Sequence, residues 1–286
     1  FTTEMSTFKE RWRLLRRKKA PFIQYARRLV RSWGVPALIT AILFILYRLQ
    51  SDNGSLVISA ALFLILLFAS GGLPRRAINF FWGLVILGTT GLISFFLYLG
   101  SMDPEVLKKA GDSSYVIRRF VAWANPFADY ADAGYHLSNS LIAISRGGLF
   151  GVGLGNGEQK KGYLTDGHTD FIMANILEEG GLFMVLIIYI LYVTIILNGY
   201  KIARNAINGF SSLAATGITT LFFIQAFWNS AGIVGLLPLK GLTAPLISYG
   251  GTSLVIMLVA LGLVQRINIE TRMKKRKKES LYDNAK

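Results

Sequence analysis

GGLFMVLIIYILYVTIILNGY, residues 180–200, contains no charged side chain and no Pro. A helix that crosses the hydrocarbon core of a bilayer needs about 20 mostly apolar residues, and this stretch supplies them. Working outward, five more uncharged stretches pass the same test: Ser32–Tyr47, Asn53–Pro74, Ala77–Met102, Asn205–Leu239 and Gly241–Gln265. The first passes with tilt or with some snorkelling by Arg48. The pattern predicts an all-α fold, a polytopic membrane helical bundle with six spans.

Composition narrows the function classes. The chain has 286 residues, 52% hydrophobic, with a mean hydropathy of +0.45 and a net charge of +15. Only 16% of residues are charged, against about a quarter in soluble domains. High apolar content excludes a disordered chain. A soluble nucleic-acid binder would spread its basic residues over a polar surface, so nucleic acid is not expected as a partner. The absence of Cys removes disulfides, thiolate metal sites and cysteine nucleophiles.

The charge sits at the ends. Residues 1–34 carry ten Lys/Arg and two Glu, and residues 266–286 carry eight basic and three acidic groups. An even number of spans puts both ends on one side, and the positive-inside rule makes that side the cytoplasm. Arg75–Arg76 and Lys201/Arg204 then fall inside, and Asp52 and residues 103–170 fall outside. The expected division is a cytoplasmic basic loop at 1–34, a transmembrane domain at 35–267 and a cytoplasmic basic tail at 268–286. A chain that opens on Phe1 within a basic loop reads as a piece lacking earlier helices.

The external segment, about 100–174, is far longer than ordinary connections. Its amphipathic pieces, YVIRRFVAWANPF and GYHLSNSLIAIS, predict a folded element over the bundle rather than a linker. GGLFGVGLGNG has neither a G-x-G-x-x-G nor a P-loop pattern; its glycines imply a flexible or closely packed backbone, or one approached by a headgroup.

Ionisable groups at membrane boundaries are functional candidates by default. Asp52 in LQSDNGS is either a turn residue or a ligand of substrate. Glu178 and Glu179 read as the opening of a span, where a helix N-terminus favours carboxylates. His168-Thr169-Asp170 precedes that span; two ligands do not close a metal site, and Asp170 could equally be a helix cap. Lys240 either snorkels or meets a phosphate. Asp52, Asp166, Asp170, Glu178 and Glu179 share one membrane face with Arg118, Arg119, Lys160, Lys161 and Lys240. That mixture suits an anionic headgroup anchored in the outer leaflet. NSAGIVGLLPLKGLTAPLISYGGTSL is dense in Gly, Ser, Thr and Pro, which allows either close helix packing or a polar pocket.

Four segments together carry a resemblance: LQSDNGS, RRFVAWANPFADYADAGYHLSNSLIAISRGGLFGVGLGNGEQKKGYL, HTDFIMANILEEGG and GLLPLKGLTAPLISYGGTSL. In this order and at these intervals, from Leu49 to Ile267, the chain resembles the SEDS family, the FtsW/RodA/SpoVE group of bacterial peptidoglycan glycosyltransferases. GLGNGEQKKGYL leans toward its septal branch. The resemblance implies a bacterial cytoplasmic-membrane protein of ten spans, these being the last six. It also implies polymerisation of lipid II outside the membrane, with a class B penicillin-binding protein and other division or elongation proteins as partners. It assigns the catalytic carboxylate to Asp170. Arg118, Arg119, Lys240, Asp52 and His168 are the candidates for the headgroup and pyrophosphate, with a divalent cation, Mg or Mn, as an expected cofactor and its ligands unknown. A lipid II flippase and a non-catalytic divisome scaffold are the competing readings. The sequence departs from the family pattern at Ser51 for Pro, Ser55 for Thr, and Thr165-Asp166-Gly167 for Pro-Glu-Ala.

Overall fold

The computed structural model describes residues 22–50, 53–71, 122–127, 130, 134–165, 167–239 and 241–284, with eight helical positions between 79 and 98. Among them the regular elements are all helical: α1 (Phe22–Leu49), α2 (Asn53–Ala69), α3 (Tyr135–Gly147), a 3₁₀ turn (Gln159–Lys161), α4 (Ile172–Asn205), α5 (Gly209–Ile233) and α6 (Gly251–Asp283). α4 and α5 are long and apolar enough to cross a membrane, as is α6 over Gly251–Leu281; Pro36–Leu49 and Gly54–Ala69 are shorter apolar helices. The stretch Ala77–Met102 lies mostly outside the described residues.

The helix bounds refine the sequence reading. α1 begins at Phe22, so the expected basic loop is helical from there. α6 starts at Gly251 rather than Gly241, because residues 241–250 are not helical and turn at 245–247, from Pro245 onward. Glu178 and Glu179 do not open a span. They end a short helical piece that starts at Ile172, and the long piece begins only after Gly181, whose φ of 67° and ψ of −174° are not helical.

The chain forms two compact units. The first comprises residues 1–80, 196–221 and 260–286. Ala203, Ala215 and Val264 are buried at its centre against Ile202, Ile218 and Ile267. Small residues let its helices approach closely: a Cβ on Gly217 would come within 3.3 Å of Leu66, and one on Gly199 would overlap the Thr219 side chain. The Tyr200 and Thr220 hydroxyls share a hydrogen bond of 3.0 Å.

The second comprises residues 81–195 and 222–259. Its core gathers Ala143 of α3, Leu164, Phe171, Met173, Ala174, Leu177 and Val185 of α4 and its entry, Ile233 and Ala244. Ser140 of α3 and Trp123, which precedes it, both bond to the end of α5. Ser140 Oγ donates to Ile233 O at 2.9 Å, and Trp123 Nε1 donates to Gly235 O at 2.7 Å. Thus the piece GYHLSNSLIAIS forms α3, as its pattern predicts, whereas most of YVIRRFVAWANPF lies outside the described residues.

The break at Gly181 is repaired by the glycine-rich loop. Leu182 N donates to Gly148 O at 3.0 Å and Phe183 N to Leu149 O at 3.1 Å. In return, Val152 N and Gly153 N donate to the carbonyls of Glu178 and Glu179, at 2.9 and 3.0 Å. Backbones this close leave no room for side chains: a Cβ on Gly147 would overlap Leu177 O, and one on Gly151 would overlap Glu179 O. Of the readings open for this loop, close packing is the one observed. Gly181 combines a left-handed φ with contacts to Gly151 N and Leu149 O, whereas Gly155, with a φ of 86°, faces open space. Gly181→Ala should therefore lower the unfolding temperature in detergent clearly more than Gly155→Ala, which carries only backbone strain of about 1–3 kcal/mol.

Candidate functional site

The site is built where the turn before α4 meets the turns before α6. Asn175 Nδ2 reaches back to Gly167 O at 2.8 Å, which closes the turn that carries His168, Thr169 and Asp170. Two hydrogen bonds bind this turn directly to the segment after Lys240, and Asn229 of α5 bridges the two. Tyr249 N donates to His168 O at 2.9 Å. Ser248 Oγ donates to Thr169 O at 2.6 Å while accepting from Ala244 N at 2.7 Å, so one hydroxyl is used in both senses. Asn229, buried in α5, donates from Nδ2 to both Asp170 O (2.7 Å) and Leu242 O (2.6 Å).

These bonds hold the Asp170 carboxylate beside Gly241. A Cβ at Gly241 would lie 2.6 Å from Asp170 Oδ2, so the absence of a side chain there gives the carboxylate its place. The facing segment is itself strained: Leu246 has a φ of 65°, a conformation that non-glycine residues avoid. It is braced by Tyr192, whose buried hydroxyl donates to Pro245 O at 2.7 Å. Asp170 is half-buried; His168 is exposed, its ring 6.0 Å from that of Tyr249. His136 of α3 stacks on Phe171 at 5.6 Å, next to Asp170 in the chain.

A second polar group stands at the other end of the short helical piece. Glu178 is fully buried, and its carboxylate accepts from Glu158 N and Gln159 N, each at 3.0 Å. A buried carboxylate is tolerated only when paired and hydrogen-bonded. Arg146 supplies the charge, with Nε 3.6 Å from Glu178 and a close ion pair to Glu158. Glu179 pairs with Lys160 at 2.5 Å and accepts from Gly155 N at 3.1 Å. These carboxylates therefore order the glycine-rich loop and the 3₁₀ turn. Between them and the Asp170 turn lies a cavity of about 540 Å³, lined by Leu154, Lys160, His168, Asn175, Ile176, Glu179 and Met184 among others.

Of the sequence candidates, the structure brings Asp170 and His168 onto one turn. Asp52, Arg118, Arg119 and Lys240 lie outside the described residues. Asn229, Ser248 and Tyr192 were missed as individuals, although Asn229 and Ser248 belong to the polar, glycine-rich stretch read as a pocket or a packing device. Among the described residues, no group of three or more His, Asp or Glu could hold a metal ion.

Two substitutions check this geometry. Asn229→Ala removes both donors from two partly enclosed carbonyls and should cost about 1–3 kcal/mol, read by thermal unfolding. Glu178→Gln turns an acceptor-only carboxylate into a group with its own donors facing two amides, and should cost about 1.5–3 kcal/mol. A cost within error for Glu178→Gln would show that the two amides are satisfied without the charge.

Known proteins share this architecture. The family model described as "Cell cycle protein", FtsW/RodA/SpoVE, matches residues 13–273. The probable peptidoglycan glycosyltransferase FtsW of Geobacter metallireducens is 38% identical over 237 residues, 83% of this chain and 58% of that protein. The protein of the same description from Bacillus subtilis is 36% identical over 264 residues, 92% of this chain and 62% of that one. The chain thus spans about three fifths of the length of these curated relatives. A chain in a solved peptidoglycan synthase complex, described by its coordination of polymerization and crosslinking, superposes with a TM-score of 0.60. It covers 85% of this chain and 64% of its own length at 23% identity, which speaks for the fold. With the family model matching almost throughout, the chain, a multi-pass membrane protein, belongs to the FtsW/RodA/SpoVE family of cell cycle proteins.

Proposed function

We propose that the protein of which this chain is part polymerises lipid II into peptidoglycan glycan strands at the outer face of the bacterial cytoplasmic membrane. The basic ends of this chain then lie in the cytoplasm, and the Asp170 turn lies outside. The observation that carries the reading is the half-buried Asp170 carboxylate, held against Gly241 by a turn hydrogen-bonded on both sides. Membership of the family and the description of its relatives as probable peptidoglycan glycosyltransferases supply the substrate class.

In this mechanism Asp170 takes the proton of the acceptor sugar hydroxyl. The hydroxyl oxygen forms the new bond to the anomeric carbon of the donor, and the bond to undecaprenyl pyrophosphate breaks. Proton transfer to a positioned base contributes about 10²–10⁴-fold, and holding two lipid-tethered sugars in line contributes as well. The departing pyrophosphate gathers negative charge and needs cations. Lys240, Arg118 and Arg119 are proposed for that role, and His168 and Asp52 for the headgroup. A divalent cation, Mg or Mn, is proposed as a companion of the departing pyrophosphate. A class B penicillin-binding protein and other division or elongation proteins are the proposed partners.

Full-length protein supplied with labelled lipid II in detergent, with and without the transpeptidase, tests the reading. Asp170→Asn should lower glycan polymerisation by about 10²–10⁴-fold without shifting thermal unfolding. Gly241→Ala, whose Cβ would displace the carboxylate, should lower the rate in the same direction. Undiminished polymerisation by Asp170→Asn removes Asp170 from the mechanism. An absence of polymer from the unsubstituted protein under all conditions favours a flippase or a scaffold.

A further inference from the structure

We infer that the glycine-rich loop is an interfacial anchor: Leu149, Phe150 and Leu154 insert into the outer leaflet of the membrane beside the start of the long piece of α4.

The loop is apolar where a water-facing loop would be polar. Phe150 is 82% exposed and Leu154 76%, with Leu149 also exposed. Four of its glycines, at 148, 151, 153 and 155, have positive φ, so the backbone shape is set by residues without side chains. The remaining residues carry its apolar surface outward. An exposed Phe flanked by leucines costs free energy in water in proportion to its area, and large exposed apolar patches mark an interaction surface.

The height of the loop identifies the occupant. Gly148 and Leu149 are hydrogen-bonded through their carbonyls to Leu182 N and Phe183 N, so the loop and the first turn of the long helical piece share one level. Lys201 is the first charged residue after Glu179 in α4. From Leu182 to Lys201 a helix rises about 28 Å, close to the hydrocarbon thickness of about 30 Å. With Lys201 at one boundary of the apolar core, Leu182 and the loop paired to it stand at the other. Leu182 and Phe183 are themselves exposed and continue as the exposed apolar face of Leu186, Ile187 and Ile190, on a helix long and apolar enough to cross a membrane. The loop residues extend that surface rather than forming a separate patch. Aromatic and aliphatic side chains at a boundary with Lys nearby, here Lys160 and Lys161, form the usual composition of an interfacial element.

The anchor follows from α4 spanning the membrane and holds whether or not the protein is a polymerase. For the polymerase it has a consequence. Leu154 lines the cavity next to His168 and Glu179, so anchoring this loop keeps the cavity at the height of a lipid-borne headgroup.

The test uses the full-length protein in nanodiscs of phosphatidylcholine and phosphatidylglycerol. Cysteines replace Phe150, Leu154 or, as a water-facing control, the exposed Lys161, on a background with no other Cys, and each carries an environment-sensitive fluorophore. The expected result at 150 and 154 is blue-shifted emission, quenched by lipids with a nitroxide high on the acyl chain and spared by aqueous iodide, with the reverse at 161. Quenching by iodide at all three positions, with no effect of the nitroxide lipids, overturns the anchor. Shielding at 150 and 154 that arises only on adding the transpeptidase also overturns it and assigns the patch to a protein partner. If the labelled variants do not fold, Phe150→Trp compared with the unsubstituted protein under brominated-lipid quenching gives the same decision. Added quenching supports the anchor, and unchanged quenching contradicts it.

Discussion

A backbone amide or carbonyl without a partner costs several kcal/mol in a place water does not reach. This cost governs the side of the structure around the Gly181 break and the Asp170 turn. Gly181 interrupts the helix at the point where the long apolar run begins, releasing the carbonyls of Glu178 and Glu179 and the amides of Leu182 and Phe183. The loop from Gly148 to Gly153 meets all four. Its glycines are required for that approach, since Gly147, Gly151 and Gly181 each lie where a Cβ would collide with backbone. The break, the loop and the buried Glu178 form one device: the carboxylate next to the break orders the amides of Glu158 and Gln159 downstream of the same loop.

The nine helical residues from Ile172 to Gly180 connect this device to the Asp170 turn. Their far end is pinned by the break, and their near end by Asn175 closing the turn onto Gly167. Across the turn, Asn229 and Ser248 bind its carbonyls to the chain around Leu242 and Ala244. The side chain of Asp170 lies beside Gly241. The general base proposed at Asp170 would need a fixed position, and the turn that carries it is fixed through its backbone carbonyls.

Much of this was legible in the sequence, unevenly. Apolar run length marked α4 and α5 as spans because hydrocarbon thickness translates directly into residue count. The glycines of GGLFGVGLGNG announced an unusual backbone, but composition does not say what a glycine approaches, and a helix break 30 residues later was its partner. Glu178 and Glu179 were misread as the start of a helix because nothing in a charge pattern marks a single non-helical Gly181 after them. Asp170 was found through the resemblance of its motif. Its clamps Asn229 and Ser248 were not, since an Asn or Ser in a polar stretch carries no sign of which carbonyl it will meet.

Backbone pairing across the Gly181 break and around the Asp170 turn holds this part of the structure together. Amide hydrogen exchange in the full-length protein measures it directly, at Val152, Gly153, Leu182, Phe183 and Tyr249. The expected result is slow exchange at all five, comparable to amides within α5. Rapid exchange at Val152 and Gly153, in step with a freely solvated loop, would contradict the account.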